Sequence, residues 1–302
     1  MIISKEDRVN FYYGDTEYQS IEPEIPRVVK HDVCFASHQD YSALKEGYVK
    51  DVNRYLSLRK TKTPLWFKCG DCFYSGNPAY PVFVKTRNPH KGVGVICNLN
   101  SPRHWTSVYE IFGSVIGGCI LKKKYEINWN LKIGTPIWRG RPTGLKKKYS
   151  RGHFVEEYYS KYDVGFIQIP DNLKHLRKYN KAELSIEQMM KHKYIICIEG
   201  NDKSSAVNWV LASNSVPIMR KPLVHSWLCE PWLKPNVHYV EVKEDFSNLE
   251  EKVEWCREND GLCREIAENG KKFMLENFKK ETEKEIETLL VHKVQEKLNN
   301  SC

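Results

Sequence analysis

The sequence predicts an α/β protein built from two lobes, about residues 1–130 and 131–302. Short apolar runs rich in β-branched residues, typical of buried strands, alternate with segments whose apolar residues recur at helical spacing. The most regular stretch is 194–219, where a strand, a polar turn, a helix and a strand form a βαβ unit. The pattern restarts near Leu131, so the boundary between the lobes is placed there.

In the first lobe, Pro23 and Pro26 predict that residues 1–35 contain no long element. Apolar residues at helical spacing predict a helix over about 41–58. Further apolar runs predict three strands and a short helix. The strands are 65–73, 81–86 and 92–99, and the helix is 106–112.

The second lobe continues the alternation of strands and helices. Strands are predicted over 136–138, 164–169, 194–198, 216–219 and 237–242, and helices over 185–191, 206–212, 261–269 and 271–299. The sequence Ser247-Asn248-Leu249-Glu250 is a capping box that starts one more helix. The long C-terminal helix, separated from the preceding one at Gly270, carries an apolar stripe. We expect it to pack back on the N-terminal lobe.

The net charge and the cysteine content indicate which partners and which cysteine chemistry to expect. The net charge of +9 over 302 residues favours anionic partners such as phosphates, polyanions or anionic membrane surfaces. The chain is large enough to fold without disulfides, so its ten cysteines need not form a disulfide framework. Cys69-Gly70-Asp71-Cys72 is a single C-x-x-C motif, which leaves a zinc site or a redox pair as minor alternatives.

No targeting segment is evident. The N-terminal residues do not form a signal peptide, and no run approaches the roughly 18 apolar residues of a membrane span. No retention signal ends the sequence. We therefore expect a cytoplasmic protein without a membrane span, as in a microbe or a virus that assembles its own glycans.

A polar turn and a helix start lie at the centre of the βαβ unit. Gly200 opens the turn, and Lys203, Ser204 and Ser205 stand where the helix begins. Free backbone N–H groups at such a start attract anions, so the segment is a candidate diphosphate site. It lacks the spacing of the common phosphate loops. The alternative is that the serines only cap the helix.

A second basic turn follows the strand 136–138. Its sequence is Arg139-Gly140-Arg141-Pro142-Thr143-Gly144. Arginine offers a fork of donors that suits phosphate, and glycine permits close backbone approach. The alternative, that this is an ordinary basic surface turn, stays equally open from the residues alone.

The order of motifs resembles glycosyltransferase family 90, the CAP10-like family that includes the Rumi-related protein O-glucosyltransferases. The similarity covers roughly residues 136–275, and the first 130 residues match only in general layout. Its motifs are Trp138-Arg139-Gly140, the segment 193–205, Trp232-Leu233-Lys234-Pro235 with Val237-His238-Tyr239, and the segments 245–255 and 266–270.

The resemblance implies a GT-B-like architecture, with two Rossmann-like lobes and an interlobe cleft. The C-terminal lobe would bind UDP-glucose or UDP-xylose, and the N-terminal lobe a glycan or glycoprotein acceptor. Transfer would invert the anomeric centre, with the UDP-sugar as co-substrate and no metal or other cofactor. The resemblance assigns Arg139, Ser204 and Ser205 to the donor phosphates.

One position departs from the family. Family members usually carry arginine after the Ser-Ser pair, where this chain has Ala206. Lys203, Arg141, Arg151 or the lysines of 146–148 are the candidates to supply the missing charge.

The chemistry also needs a base that takes the proton of the acceptor hydroxyl. Asp71, in a glycine-containing loop after a strand, is the first candidate, and His104 is the second. Tyr74, Trp105 and Trp227 are candidates to line the sugar path. The alternatives are a turn-stabilising aspartate, an ordinary loop histidine and core aromatic residues.

Two other functions remain as alternatives. The lysine triplets and many aromatic residues would suit a non-enzymatic protein that binds polyanions or nucleic acid, but no nucleic-acid motif is present, so nucleic acid is not the expected partner. Ala206 would also suit an inactive relative that keeps the fold.

Overall fold

A computed structural model describes most of the chain, which forms two compact units. The residues described are 1–14, 18, 27–29, 33–35, 46–70, 81–89, 93–99, 112, 121–146 and 148–299. The first unit comprises Met1–Thr106, Leu223–Glu230 and Phe278–Cys302, and the second comprises Ser107–Pro222 and Pro231–Asn277. The boundaries between these units therefore differ from the single lobe boundary near residue 131 that the sequence predicts. The last helix belongs to the first unit.

The first unit contains a largely parallel sheet. Its helices are α1 (Lys5–Tyr13), α2 (Glu46–Leu56) and α8 (Lys280–Asn299), and its strands are β1 (Arg27–Val29), β2 (Val33–Phe35), β3 (Leu65–Lys68), β4 (Val82–Val84), β5 (Thr86–Arg87), β6 (Val95–Ile96) and β11 (His225–Ser226). The sheet has the order β1-β2-β3-β4-β6, and all pairs are parallel except β1 with β2. Strands β5 and β11 form a separate antiparallel pair.

Helix α1 corrects the expectation that residues 1–35 are irregular. Ser4 caps this helix, because its hydroxyl accepts a hydrogen bond from the Asp7 N–H at 3.0 Å. The prolines that suggested an irregular segment lie further along the chain. The predicted helix 106–112 falls almost entirely outside the described residues. So does Cys72 of the C-x-x-C motif, whereas Cys69 is described and buried.

The second unit is built on a fully parallel sheet. Its strands are β7 (Ile137–Gly140), β8 (Asp163–Phe166), β9 (Tyr194–Ile196), β10 (Val216–Arg220) and β12 (Val240–Val242), and its helices are α3 (Arg151–Tyr158), α4 (Ile186–Met189), α5 (Ala206–Ala212), α6 (Leu249–Glu258) and α7 (Asp260–Asn277). Short 3-10 helices cover Lys123–Tyr125, Trp129–Leu131, Asp171–Tyr179 and Glu230–Trp232. The order is β12-β10-β9-β7-β8, so the predicted βαβ unit forms the centre of this sheet.

Gly270 does not separate two helices, which corrects the sequence expectation. It lies inside α7, which runs without a break to Asn277. A Cβ at this position would lie 3.2 Å from the Leu211 side chain and 3.3 Å from its carbonyl oxygen. The glycine therefore serves the close packing of α7 against α5 rather than a helix end.

His238 is a structural residue of the second unit, in the turn before β12. It is buried at 5% exposure, and its Nδ1 accepts a hydrogen bond from the Lys234 N–H at 2.9 Å. Its ring also packs at 5.1 Å from the ring of Phe273. Burial lowers the pKa of His238 to about 4, so the imidazole is neutral in the folded protein near neutral pH.

This histidine predicts a pH dependence of stability. The pKa of His238 is about 4 in the folded protein and about 6.5 when unfolded, so unfolding takes up a proton. The free energy of unfolding should fall by up to about 3 kcal/mol as the pH drops from about 6.5 to 4. Urea unfolding of the wild type and of His238→Asn across this range measures the effect. Parallel pH profiles of the two proteins would contradict it.

Within the described part of the chain, no helix combines the length and apolar character needed to cross a membrane.

Candidate functional site

Two loops follow neighbouring strands at the carboxyl edge of the parallel sheet in the second unit. The β7 loop, of which residues 141–146 and 148–149 are described, follows Gly140, and the β9 loop, residues 197–205, leads into α5. Because β7 and β9 are parallel neighbours, both loops leave the sheet at the same edge. Ligands of open α/β sheets bind outside the carboxyl ends of the strands. A ligand site in the second unit is therefore expected at this edge.

The two loops touch at their glycines. The Gly144 N–H donates to Oδ1 of Asn201 at 2.9 Å, and Gly144 has a φ of +70°, in the left-handed region. A Cβ on Gly144 would overlap the carbonyl oxygen of Gly200. A Cβ on Gly200 would lie 2.8 Å from Oγ1 of Thr143. Gly144 is thus required for the backbones of the two loops to come this close, and Gly200 leaves room for the Thr143 side chain beside the β9 loop.

Arg151 connects the same two loops from the first position of α3. Its Nη1 donates to Oγ1 of Thr143 at 2.8 Å and to the carbonyl oxygen of Arg141 at 3.1 Å. Its Nη2 donates to the carbonyl oxygen of Ile198 at 2.9 Å. The guanidinium also lies over the Trp138 ring, 5.7 Å from the centroid. The structure therefore uses this cation to join the loops.

The start of α5 is polar and compact. Ser205 is the N-cap residue, yet its side chain makes no capping hydrogen bond and is exposed. This overturns the alternative that Ser205 serves as a helix cap. Ser204 and Lys203 are buried, and the Lys203 ammonium donates to Oδ1 of Asn208 at 3.1 Å.

Arg139 lies on β7, with its side chain held by acceptors from β7, β8 and the loop before α4. The guanidinium donates to the Asp163 carboxylate at 2.8 Å and to carbonyl oxygens of Trp138, Asp163 and Ala182 at 2.8 to 3.0 Å. Partial burial acts to raise the pKa of Asp163, but its ion pair with Arg139 lowers it below the usual value. The neighbouring Gly140 packs against the Trp138 ring. The phosphate role of Arg139 stays a prediction.

Arg141 is differently placed, although it is only two residues away. Its side chain is exposed at the carboxyl edge, and its Nε donates to Oε1 of Gln168 at 2.7 Å. Gln168 in turn donates to the Glu183 carboxylate at 2.8 Å. An exposed arginine held by one neutral side chain can turn to an anionic ligand at low cost.

A buried ion pair at the same edge was not identified from the sequence. Arg220 ends β10, and its Nε donates to the Glu199 carboxylate at 2.8 Å. Its Nη1 donates to the carbonyl oxygens of Tyr149 and Glu244, both at 3.2 Å. The only signal in the sequence is that a charged residue follows each of two apolar runs, Glu199 after 194–198 and Arg220 after 216–219.

Four candidates for catalysis and sugar contact lie outside the described residues. They are Asp71, Tyr74, His104 and Trp105. Their roles stay predictions. Among the residues that the structure describes, no group of three or more His, Cys, Asp or Glu side chains could hold a metal ion.

Trp227, the remaining candidate, lies in the first unit. It is 4% exposed, and its ring meets that of Phe278 edge-on at 5.4 Å. Its carbonyl oxygen accepts a hydrogen bond from the Tyr12 hydroxyl at 2.6 Å. These contacts are those of a core residue, and contact with a sugar stays a prediction.

Comparison with known proteins agrees with the motifs. The model of the family described as glycosyl transferase family 90 matches residues 114–291, more than half of the chain. The chain is 26% identical to "O-glucosyltransferase LpsA" of Dichelobacter nodosus, over 92% of this chain and 78% of that protein. It is 41% identical to "Protein O-glucosyltransferase 1" of Homo sapiens, over 76% of this chain and 58% of that protein.

Two other similarities carry less weight. "Uncharacterized protein 035R" of Invertebrate iridescent virus 3 is 37% identical over 33% of this chain, which spans only 9% of that protein. The crystal structure of a glycosyltransferase from Rickettsia africae aligns over 80% of this chain and 73% of that chain, with a TM-score of 0.46 and 12% identity. That score is too low to support an argument. Because the family model matches more than half of the residues of the chain, the chain belongs to glycosyl transferase family 90.

Proposed function

We propose that this chain transfers glucose from UDP-glucose to a hydroxyl group of a glycan or protein acceptor, with inversion at the anomeric carbon and without a metal ion. The observation that carries the proposal is the contact between the β7 loop and the β9 loop at the carboxyl edge of the sheet. The hydrogen bond from Gly144 to Asn201 and the close approach of Gly144 to Gly200 mark this contact. Family membership supports the reaction class.

The polar groups at this edge suit a nucleoside diphosphate. Backbone N–H groups at the start of α5 and the exposed hydroxyl of Ser205 would donate to phosphate oxygens. Family members usually carry an arginine where this chain has Ala206. Arg141 would supply the missing positive charge, since its guanidinium is exposed beside this edge. These donors would stabilise the charge that develops on the departing diphosphate. Lys203, which is bonded to Asn208, would stabilise the helix start rather than bind the donor directly.

The remaining chemistry is proposed for the first lobe, in a GT-B arrangement with the acceptor on that side. Asp71, or His104 in its place, would take the proton from the acceptor hydroxyl as that oxygen attacks the anomeric carbon. Glucose is favoured over xylose because the relatives from Dichelobacter nodosus and Homo sapiens carry the word O-glucosyltransferase in their names. UDP-xylose is the second donor to test.

Binding of UDP without metal tests the proposal. Saturating UDP should raise the melting temperature of the protein in the presence of EDTA, because a ligand that binds only the folded state stabilises it. Arg141→Ala should weaken UDP binding about tenfold or more, since a charge-assisted hydrogen bond is worth about 1.5 to 3 kcal/mol. Calorimetric titration of both proteins with UDP measures the difference.

Two further arginine variants make this test specific. Arg257→Ala is the control, because Arg257 is exposed on α6 and pairs with the exposed Glu254 on the same helix. It should leave the UDP affinity unchanged. Arg139→Ala should lower the melting temperature of the free protein, whereas Arg141→Ala should not. No UDP effect in the wild type, together with salt-sensitive binding of an oligonucleotide, would contradict the proposal and favour a polyanion-binding protein.

A further inference from the structure

We infer that Arg151 and Arg220 are positioning residues that fasten the two ends of the β7 loop to the end of β9. This inference rests on the proposed function, because it explains how the donor-side loops are held. Neither guanidinium needs to contact the donor for this role. The anchors on the β9 side are adjacent residues, Ile198 and Glu199.

Arg151 holds the first end of the β7 loop. Two of its hydrogen bonds go to the loop, to the Arg141 carbonyl oxygen and to Oγ1 of Thr143, and the third goes to the Ile198 carbonyl oxygen. The fork of the guanidinium allows one rigid group to reach all three acceptors. Its face lies over Trp138, so the orientation of the group is fixed as well.

Arg220 holds the second end. It is 3% exposed, its Nη1 donates to the Tyr149 carbonyl oxygen at 3.2 Å, and its Nε pairs with Glu199 at 2.8 Å. A further bond to the Glu244 carbonyl oxygen at 3.2 Å ties the same group to the segment after β12. The ion pair is almost fully buried, with side-chain exposures of 4% and 8%.

The basic residues at this edge therefore have different roles. Arg151 and Arg220 are engaged with backbone carbonyls of the loops, whereas the side chain of Arg141 is exposed at the first anchored end. The anchored loop would present Gly144 and Arg141 to a diphosphate. This revises the sequence-based suggestion that Arg151 itself supplies the charge missing at Ala206.

The first experiment needs no ligand. Lys146 and Lys148 are exposed on the β7 loop and offer trypsin cleavage sites. Arg151→Met should raise the rate of cleavage at these lysines at least about fivefold, because local opening of the loop becomes cheaper. Arg151→Lys should give an intermediate rate, and Arg257→Met should match the wild type. An unchanged rate for Arg151→Met would overturn the inference.

The second experiment asks whether Arg151 acts through the loop or on the donor. Calorimetry with UDP should show a loss of affinity of about tenfold for Arg151→Met and a smaller loss for Thr143→Val. The double variant should bind no more than about twofold more weakly than Arg151→Met, because residues that act as one unit are not additive. Losses that multiply would indicate that Arg151 contacts the diphosphate directly and would overturn the inference.

A steady-state measurement separates positioning from a general loss of structure. With UDP-glucose as donor, Arg151→Met should raise KM while kcat stays within about threefold of the wild type, and Arg151→Lys should recover part of the KM. Failure of the wild type to bind UDP would contradict the proposed function, and the proteolysis result would still decide the role of Arg151.

Discussion

Gly144→Ala is expected to weaken UDP binding about 100-fold while leaving the protein folded. Two costs arise at this position. A residue with a Cβ pays about 1 to 2 kcal/mol for the left-handed conformation that Gly144 adopts at a φ of +70°. The new Cβ would also overlap the Gly200 carbonyl oxygen, a backbone atom that cannot move without shifting the β9 loop. Separation of the loops would break the hydrogen bond from Gly144 to Asn201.

The expected loss of UDP affinity is about 100-fold, which corresponds to about 2.8 kcal/mol. Calorimetric titration with UDP measures it, and circular dichroism verifies that the variant is folded. Gly134→Ala is the matched control, because within the described residues no atom beyond its chain neighbours lies within 4 Å of a Cβ built on Gly134. A Gly144→Ala protein that binds UDP like Gly134→Ala would show that the loop contact is not part of the donor site.

The centre of the second unit could be predicted from the sequence because its signals are local. The segment 194–219 became β9, α5 and β10, with ends shifted by only a few residues. Both donor-side turns were also recognised, since glycine and basic residues directly after a strand need no tertiary information. What joins the turns, the contact between Gly144 and Gly200, depends on the parallel pairing of β7 with β9 and so could not be predicted from either turn alone.

The direction of the side chains was the main property of the site that could not be predicted from the sequence. Arg139 and Arg141 read alike in the sequence, yet Arg139 pairs with Asp163 on the neighbouring strand and Arg141 is exposed. The difference follows from the register of β7 with β8, in which Ile137 lies opposite Asp163. Register is a tertiary property, and the sequence offered nothing to fix it.

Charge patterns gave a similar difficulty in the last helix. Its sequence carries charged residues on most faces beside the apolar stripe. The structure also buries Glu283 and Glu287. Arg54 and the Tyr55 hydroxyl both bind Glu287, at 3.0 Å each. The partners lie more than 200 residues away in the chain, so no local pattern could reveal them.

Glu283→Ala is expected to lower the free energy of unfolding by about 3 to 5 kcal/mol, the usual result of removing one partner from a buried ion pair. Glu283 on α8 is ion-paired with Arg8 on α1 inside the first unit, and the side chains are 4% and 1% exposed. The Arg8 guanidinium also donates to the Tyr12 hydroxyl at 2.6 Å and lies over the Phe278 ring. After the substitution, that cation would remain buried without its carboxylate.

Glu285→Ala provides a control two residues away on the same helix. Glu285 is paired with Lys5 on the same partner helix, α1, but both side chains are more than half exposed. Such a surface pair contributes about 0 to 1 kcal/mol, so this variant should unfold almost like the wild type. Urea unfolding of both variants measures the difference, which tests burial because helix, partner element and charge type are shared.

A double variant separates the ion pair from the space that it fills. Arg8→Met with Glu283→Leu replaces both charges by apolar groups of similar size, and such replacements of buried pairs are often neutral or stabilising. We therefore expect it to recover most of the stability that Glu283→Ala loses. If the double variant were as unstable as Glu283→Ala, the loss would come from packing rather than from the unpaired charge. Equal stability of Glu283→Ala and Glu285→Ala would show that the ion pair of Arg8 with Glu283 does not stabilise the packing of α8 on α1.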